Sequence, residues 1–442
     1  TTFFGVRVSE ARVNRLLREV ERSLATLSKG GSLFGGPIVP AAQGQSAAFF
    51  RRIAKDSHSS DGRATLERDF WTGERQTAMH ALDDALDAVR ALAESLSAEL
   101  EAPGAELVKG RRETLALADG LRNAARRAEE LRTDLATIVD GAAGRVTWVD
   151  TSGRSVALGS SPVDLSSVFR TRVFETIPSA ILTSATLSSG KNGDVGPKAF
   201  AFIRSRLGLS GDTVQVHEEI VTSPFDYGSH ALLYTPKDLP PPADPAFLGE
   251  AAIRVAELIE ITGGGAFVLT TSLRSMHALH KDLRERVRGR RVLVQGEAPK
   301  TTLLSLFRTA GDAVLVATAS FWQGVDVPGD ALRLVVLEKI PFPVPNEPVI
   351  LARARALEAE GKKPFMELHV PLAKIALKQG FGRLIRTRTD RGIVALLDER
   401  LHRRGYGKDL LAALPPALRT SEIDEVRAFW ERAQEAGAEP LG

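Results

Sequence analysis

In the second half of the sequence, short apolar segments alternate with longer amphipathic stretches of helical period, and this pattern constrains the fold more than any other. The segments that predict strands are 180–182, 231–234, 266–269, 313–316, 332–337 and 393–397. A helix between consecutive strands places them side by side and parallel, with right-handed crossovers. We therefore predict an α/β fold with a parallel sheet, in which ligands gather at the carboxyl ends of the strands.

The first third of the sequence predicts long helices instead. Ser9 is expected to cap a helix whose apolar residues recur at three- and four-residue steps as far as Leu27. The Gly- and Pro-rich segment that follows predicts a loop or hinge between structural units. Apolar residues then repeat with heptad spacing over 82–100 and over 117–138, which predicts an antiparallel helical hairpin. A change to period two from Arg145 predicts a β-hairpin.

Composition narrows the class of protein. At 442 residues the chain is too long for one ordinary core, which favours two or three structural units. With 43% hydrophobic residues and no apolar run as long as a membrane span, we expect a soluble protein. The absence of cysteine excludes disulfides and thiolate metal sites within this sequence and fits a reducing cytoplasm. A net charge of +3 permits nucleic-acid binding but does not indicate it.

The segment Q-G-F-G-R-L-I-R is the first candidate site. It ends a predicted helix that begins near Leu372 and carries Gln379, Arg383 and Arg386. Residues three apart lie on one face of a helix, so the two guanidinium groups would form a pair suited to a triphosphate. Taken alone, the segment is equally typical of a solvated Arg-rich helix.

Two predicted strands end in hydroxyl residues. Ser184 and Thr186 follow one strand, and Thr270, Thr271 and Ser272 follow another. Hydroxyls and free amides at the start of a helix are good phosphate ligands. The alternatives are a local serine–threonine turn at the first place and simple N-capping by Ser272 at the second.

A Gly-rich turn with two aromatic residues follows the strand predicted at 313–316. It contains Ser320, Trp322, Gly324 and Asp326. Bases can stack on such aromatic rings, and a carboxylate can hold a ribose hydroxyl. The alternative is that the aromatic pair belongs to the core.

Together, these segments resemble a known family. In this order and spacing, S-A-T, strand-T-T-S, F-W-Q-G-V-D-V-P-G and Q-G-F-G-R-L-I-R resemble motifs III, IV, V and VI of superfamily 2 helicases. The segments E-K-I-P-F-P-V-P and S-P-F-D-Y and the opening T-T-F-F-G-V-R-V-S-E-A-R are similar to the bacterial DinG branch of the DinG/XPD family. The resemblance implies an ATP-dependent 5′-to-3′ DNA helicase of repair or replication, with ATP held between two RecA-like domains.

The resemblance also implies roles for the candidate residues. Arg383 and Arg386 would contact the γ-phosphate, Arg386 as the arginine finger, and Gln379 would orient the same site. Gly324 and Asp326 would line the nucleotide pocket. Ser184 and Thr186 would couple the ATP state to the grip on DNA. The residues implied to face single-stranded DNA are Thr270, Thr271, Ser272, Ser320 and Trp322.

The same resemblance predicts four segments. Residues 1–29 correspond to the helix that follows the DEAH region of helicase domain 1, and 30–142 correspond to an all-helical arch. Residues 143–212 would close helicase domain 1, and 213–442 would form helicase domain 2, the RecA-like motor domain that carries motifs IV, V and VI.

Two family motifs do not occur in this sequence: the G-x-x-x-x-G-K-[ST] loop and the DEAH box. In the family both lie N-terminal to the part that Thr1 begins, so we expect the Walker lysine and most Mg²⁺ ligands outside this chain. We also expect the chain alone to be inactive. The iron–sulfur cysteines of many members precede the DEAH box, so the absence of cysteine here leaves a cluster undecided.

The expected partners are single-stranded and forked DNA, with no membrane, for a monomer in the bacterial cytoplasm. One alternative is a catalytically incomplete nucleic-acid-binding module derived from a helicase. Another is a different nucleotide-dependent enzyme, such as a kinase or sugar-nucleotide transferase, which the arginine pair alone would permit. The order of the motifs argues against the latter.

Overall fold

A computed structural model describes residues 4–28, 36–57, 62–103, 110–151, 156–190, 197–210, 214–318, 321, 327 and 329–438. The chain divides into two compact units. The first unit comprises Thr1–Leu165 and Val344–Ala359, and the second comprises Ser166–Pro343 and Glu360–Gly442.

The helices described are α1 (Glu10–Ser28), α2 (Ile38–Asp56), α3 (Glu74–Glu101), α4 (Arg111–Asp140), α5 (Ser166–Phe169), α6 (Pro197–Leu207), α7 (Tyr227–His230), α8 (Phe247–Thr262), α9 (Leu273–Arg286), α10 (Lys300–Ala310), α11 (Pro348–Ala359), α12 (Val370–Phe381), α13 (Arg400–Arg403), α14 (Gly405–Ala412) and α15 (Ile423–Ala438). The strands described are β1 (Val6–Ser9), β2 (Arg63–Leu66), β3 (Arg145–Asp150), β4 (Ala157–Pro162), β5 (Ala231–Tyr234), β6 (Ala266–Thr270), β7 (Val292–Val294), β8 (Val314–Thr318), β9 (Leu334–Leu337), β10 (Gly392–Leu396) and β11 (Leu418–Thr420).

The first unit is built on the predicted helical hairpin of α3 and α4. Its seam is formed by the heptad positions, of which Leu86 and Leu131 are almost completely buried. The hairpin is antiparallel, because the Ser97 hydroxyl donates to the Ala118 carbonyl while Arg132 pairs with Asp83. The heptad prediction is therefore confirmed.

A four-stranded antiparallel sheet of order β1-β4-β3-β2 completes the first unit. Strands β3 and β4 form the hairpin predicted from the period-two pattern. The pattern did not single out α2, although a helix there agrees with the segment expected to be all helical, whereas β2 departs from that expectation. Strand β2 forms because its backbone pairs with β3, and α2 begins directly after Pro37, a residue compatible with the start of a helix.

One apolar core runs through the first unit. It joins Val8 of β1, Leu17 of α1 and Phe49 of α2 to the buried seam of α3 and α4. The boundaries predicted at 29 and 142 thus lie within residues that share one core. The assignment of these segments to an arch and a motor domain stays a prediction.

The second unit contains a seven-stranded parallel sheet of order β11-β5-β10-β9-β6-β8-β7. Alternate side chains enter two cores: Phe267 and Leu315 lie in one, and Val268 and Val316 in the other. Helices cover both faces, as a parallel sheet requires. The predicted RecA-like α/β architecture and five of its six predicted strands are confirmed.

The sixth predicted strand, at 180–182, is wrong. Ile181 and Leu182 are 88% and 47% exposed and lie in irregular backbone. A short apolar segment becomes a strand only when a neighbouring strand pairs with its backbone. Within the described residues no strand pairs with this segment.

We expect the α3–α4 seam to dominate the stability of the first unit. Truncation of Leu131, which is 1% exposed, to alanine should lower the free energy of unfolding by about 2–5 kcal/mol, because it leaves a cavity in the seam. Leu115→Ala is the matched control, since Leu115 lies on the same helix but is 39% exposed. Denaturant unfolding followed by circular dichroism measures both, and equal losses would contradict the seam assignment.

Candidate nucleotide and nucleic-acid sites

Arg383 and Arg386 lie in a turn that follows α12, not on one face of a helix as predicted. Helix α12 ends at Phe381, and Gly382 begins the turn. Leu384, between the two arginines, packs against Gly392, where an added Cβ would lie 2.6 Å from the leucine Cδ1. The arginine turn, residues 382–387, therefore lies at the amino end of β10.

Asp390 holds the turn beyond the helix in its non-helical conformation. Its buried carboxylate accepts hydrogen bonds from the backbone amides of Arg386 at 2.7 Å and Thr387 at 2.8 Å, and from the Thr387 hydroxyl at 2.6 Å. These amides bond to the carboxylate instead of to helical carbonyls four residues earlier. Sequence reasoning missed Asp390, although the pattern T-R-T-D is typical of a side-chain-capped turn.

Helix α12, which carries Gln379, is anchored from two directions. The ring of Phe381, its last residue, meets Tyr227 of the S-P-F-D-Y segment edge to face at 5.8 Å between centroids. The Lys378 ammonium donates to the carbonyls of Ser188 at 2.8 Å and Gly190 at 3.4 Å. The S-A-T segment and the Q-G-F-G-R-L-I-R segment are thus joined through the backbone just beyond the first.

Ser184 and Thr186 form the local turn that was the alternative reading. Their hydroxyls lie 3.2 Å apart, and the Thr186 amide donates to the Ser184 hydroxyl at 3.2 Å. Ser184 is exposed and Thr186 half-buried. The turn does not exclude the coupling role, which stays a prediction.

The T-T-S segment lies at the carboxyl end of β6, and its three hydroxyls differ in environment. Thr270 is 1% exposed, and its hydroxyl donates to the carbonyls of Ser272 and Ala317, so it holds the turn from inside. Ser272 is exposed and caps α9 by accepting the Ser275 amide at 3.1 Å. Thr271 is half-buried. Of the three, Thr271 and Ser272 present polar groups nearest the surface.

Glu338, directly after the strand beside β6 in the sheet, fixes this turn. It follows β9, is fully buried, and accepts the Thr271 amide at 3.2 Å. Its other carboxylate oxygen lies 3.2 Å from the Lys339 ammonium. Sequence reasoning did not single out Glu338, but a carboxylate directly after a buried strand is a sign of a fixed loop.

Asp398, two residues after the last residue of β10, fixes the Pro-rich loop in the same way. It is 1% exposed and accepts the Ile340 amide at 2.9 Å. It also pairs with the Arg400 guanidinium, with 2.6 Å from Nη2 to Oδ2. The hydrogen bond to Asp398 raises the pKa of Arg400. This residue too was missed.

Four predicted residues, Ser320, Trp322, Gly324 and Asp326, lie outside the described residues. Phe321 between them is described and is 5% exposed, with the Lys300 ammonium 5.2 Å from its ring centroid. Phe321 therefore belongs to the core, as the alternative interpretation of the aromatic pair predicted.

The predicted residues thus fall at two ends of the sheet. Thr271 and Ser272 lie at the carboxyl end of β6, whereas Arg383 and Arg386 lie at the amino end of β10.

In the described part of the chain, no group of three or more His, Asp or Glu residues is placed to hold a metal ion. No described helix is long and apolar enough to cross a membrane.

Comparison with known proteins shows similarity to helicases. The model of the Helicase C-terminal domain matches residues 255–417, which include β6, β8, β9, β10 and the arginine turn. The chain is 40% identical over 285 residues to the ATP-dependent DNA helicase YoaA of Escherichia coli, covering 64% of this chain and 42% of that protein. It is 38% identical over 299 residues to the ATP-dependent helicase DinG of Mycobacterium tuberculosis, covering 66% of this chain and 43% of that protein.

Solved structures show the same fold. A structure titled XPD_Helicase superposes with a TM-score of 0.59 at 13% identity, covering 95% of this chain and 65% of that one. The structure of S. tokodaii Xpd4 gives a TM-score of 0.55 at 14% identity, covering 95% and 72%. The chain spans less than half the length of the two curated relatives. Residues 255–417 match the Helicase C-terminal domain, and the chain is similar in sequence to the DinG and YoaA helicases and in fold to the XPD helicases.

Proposed function

We propose that the protein is an ATP-dependent DNA helicase to which this chain contributes the second motor domain. The observation that carries the proposal is the arginine turn, whose backbone the buried Asp390 holds at one end of a RecA-like sheet. A fixed guanidinium can stabilise the charge that develops on a transferring phosphoryl group. The names of the relatives, ATP-dependent helicases, support the same activity.

In this proposal the two ends of the sheet have different tasks. Arg386 acts as the arginine finger, while Arg383 and Gln379 hold the γ-phosphate region. Thr271 and Ser272 contact the backbone of single-stranded DNA at the other end. Gly324 and Asp326 are proposed for the nucleotide pocket, and Ser184 and Thr186 for coupling.

The finer features of the proposal derive from the family resemblance. They are 5′-to-3′ movement on single-stranded DNA, unwinding of forked DNA in repair or replication, and action as a monomer. Hydrolysis also requires a lysine and Mg²⁺ at the β- and γ-phosphates. The described residues supply no carboxylate cluster for the metal.

The alternative of a nucleic-acid-binding module without catalysis keeps the DNA edge, which is formed by Thr271 and Ser272 at the carboxyl end of β6, and discards the arginine finger. The Asp390 carboxylate, which fixes the backbone of Arg386, favours the helicase. DNA binding at the opposite end of the sheet would not require a fixed arginine here.

We expect the isolated chain to show no DNA-stimulated ATPase, and the full-length protein that contains it to show such activity. In that protein Arg386→Ala should lower turnover by roughly three to five orders of magnitude, and Arg386→Lys should not restore it, because an ammonium lacks the planar fork of a guanidinium. Arg388→Ala is the matched control, since Arg388 is exposed beside the same turn. Robust turnover by the isolated chain or by Arg386→Ala would contradict the assignment.

Asp390→Ala should slow ATP turnover without weakening DNA binding. Loss of the carboxylate releases the Arg386 amide, and a misplacement of about 1 Å can cost on the order of 100-fold in rate. Steady-state ATPase and DNA anisotropy of the full-length protein measure the two effects, with Asp424→Ala as an exposed carboxylate control. Equal losses in both assays would indicate a general folding defect instead.

We expect the chain to bind single-stranded DNA with little sequence preference and with affinity that falls steeply as salt is added. Contacts to phosphates release counterions and carry no base code. Anisotropy titrations with oligo-dT and a mixed-sequence oligonucleotide between 50 and 200 mM salt, a range of about fourfold, measure this dependence. Binding that ignores salt, or no binding at low salt, would count against the DNA edge.

A further inference from the structure

The Pro-rich loop after β9 takes part in a cluster of aromatic rings that the proposed function leaves without a role. Phe342 lies 5.3 Å from Phe365 and 5.6 Å from Tyr406, measured between ring centroids. Phe365 is also 5.1 Å from Tyr406 and stacks on His369 at 6.1 Å with 18° between the planes. These four residues are the aromatic platform.

The platform is open to solvent on one side. Phe365 is 40% exposed and the adjacent Met366 is 42% exposed, whereas Phe342, His369 and Tyr406 are half-buried. The His369 ring lies nearly parallel to Phe365, whereas the rings of Phe342 and Tyr406 meet it at an angle. Burial lowers the pKa of His369, which favours the neutral ring in the stack. An exposed ring held by other rings is a surface on which another flat group can stack.

Buried hydrogen bonds connect the platform to the DNA edge. Glu338 holds the Thr271 amide, and Asp398 holds the Ile340 amide in the same loop as Phe342. Arg400, paired with Asp398, lies 5.7 Å from the Phe342 ring centroid. Since β10, β9 and β6 are neighbours in the sheet, the platform and the T-T-S turn lie along one continuous edge.

The charges beside the platform suit a polyanion. Lys363 and Arg404 are exposed on the segments that carry Phe365 and Tyr406. Arg404, Arg400 and Asp398 all act electrostatically on the Tyr406 hydroxyl, which places them close to it, and the Asp398 charge is paired with Arg400. The acidic residues of segments 360–369 and 400–406 are Glu360 and Glu367, and they are outnumbered by Lys362, Lys363, Arg400, Arg403 and Arg404. Aromatic rings next to basic side chains are the combination that binds single-stranded nucleic acid without reading sequence.

We propose that a base of single-stranded DNA stacks on Phe365 of the aromatic platform, which extends the DNA edge from the T-T-S turn across β9 to β10. The inference rests on the proposed function, because it names a further contact for the same ligand. Duplex DNA does not fit, since its bases are already stacked on one another.

The test compares the affinity of the 442-residue chain and its variants for oligo-dT and for an abasic oligonucleotide of equal length. Phe365→Ala should raise the Kd for oligo-dT by roughly 5- to 100-fold and leave the Kd for the abasic strand unchanged, because only bases can stack. Phe365→Tyr should bind both as the wild-type chain does. Ile253→Ala, which truncates a side chain that is 46% exposed on α8, is the control and should change neither.

Unchanged oligo-dT binding by Phe365→Ala would overturn the platform while leaving the proposed function intact. An equal loss of affinity for the abasic strand would also overturn the platform, because the effect would then come from phosphate contacts or from misfolding. Thermal melting of the variant distinguishes these two causes. If the wild-type chain binds neither strand, the inference and the DNA-binding part of the proposed function both fail.

Discussion

Parallel pairing of β9 with β6 on one side and β10 on the other is the constraint on which the second unit depends. All four residues of β9 are buried, so each of its backbone groups must be bonded within the protein. Parallel strands also require both faces to be covered, which explains the two apolar cores and the helices that supply them. The pairing brings the loops after three strands to one edge.

Buried carboxylates then convert this edge into a fixed surface. Glu338 and Asp398 each follow a buried strand and accept an amide from a neighbouring loop. Removing a buried charge from water is costly unless it is paired and hydrogen-bonded, and both carboxylates are. The bonds hold the T-T-S turn and the Pro-rich loop in register, which is what a surface must have to contact successive nucleotides.

Asp390 performs the same task at the opposite end of the sheet. It fixes the backbone that carries Arg386, in the turn that follows α12. In the proposed helicase, the groups that would respond to ATP and those that would hold DNA are separated by the length of the strands. A rigid sheet between them suits a motor, because movement at one end is transmitted to the other without local deformation. The hydrogen bond from Lys378 to the Ser188 carbonyl also connects helix α12 to the segment that follows S-A-T.

The sequence by itself determined the parallel sheet, the heptad hairpin and the resemblance to helicases, because periodicity and motif order depend on consecutive residues. It also located the T-T-S turn and the arginine pair. It failed at 180–182, where an apolar triplet predicted a strand but the structure has no described partner for it. Only the tertiary structure decided that Thr270 faces inward, that the arginines leave the helix, and that Phe342, Phe365 and Tyr406 meet. Those outcomes depend on bonds and contacts between residues distant in the chain, such as Glu338 with Thr271, and no local pattern specifies them.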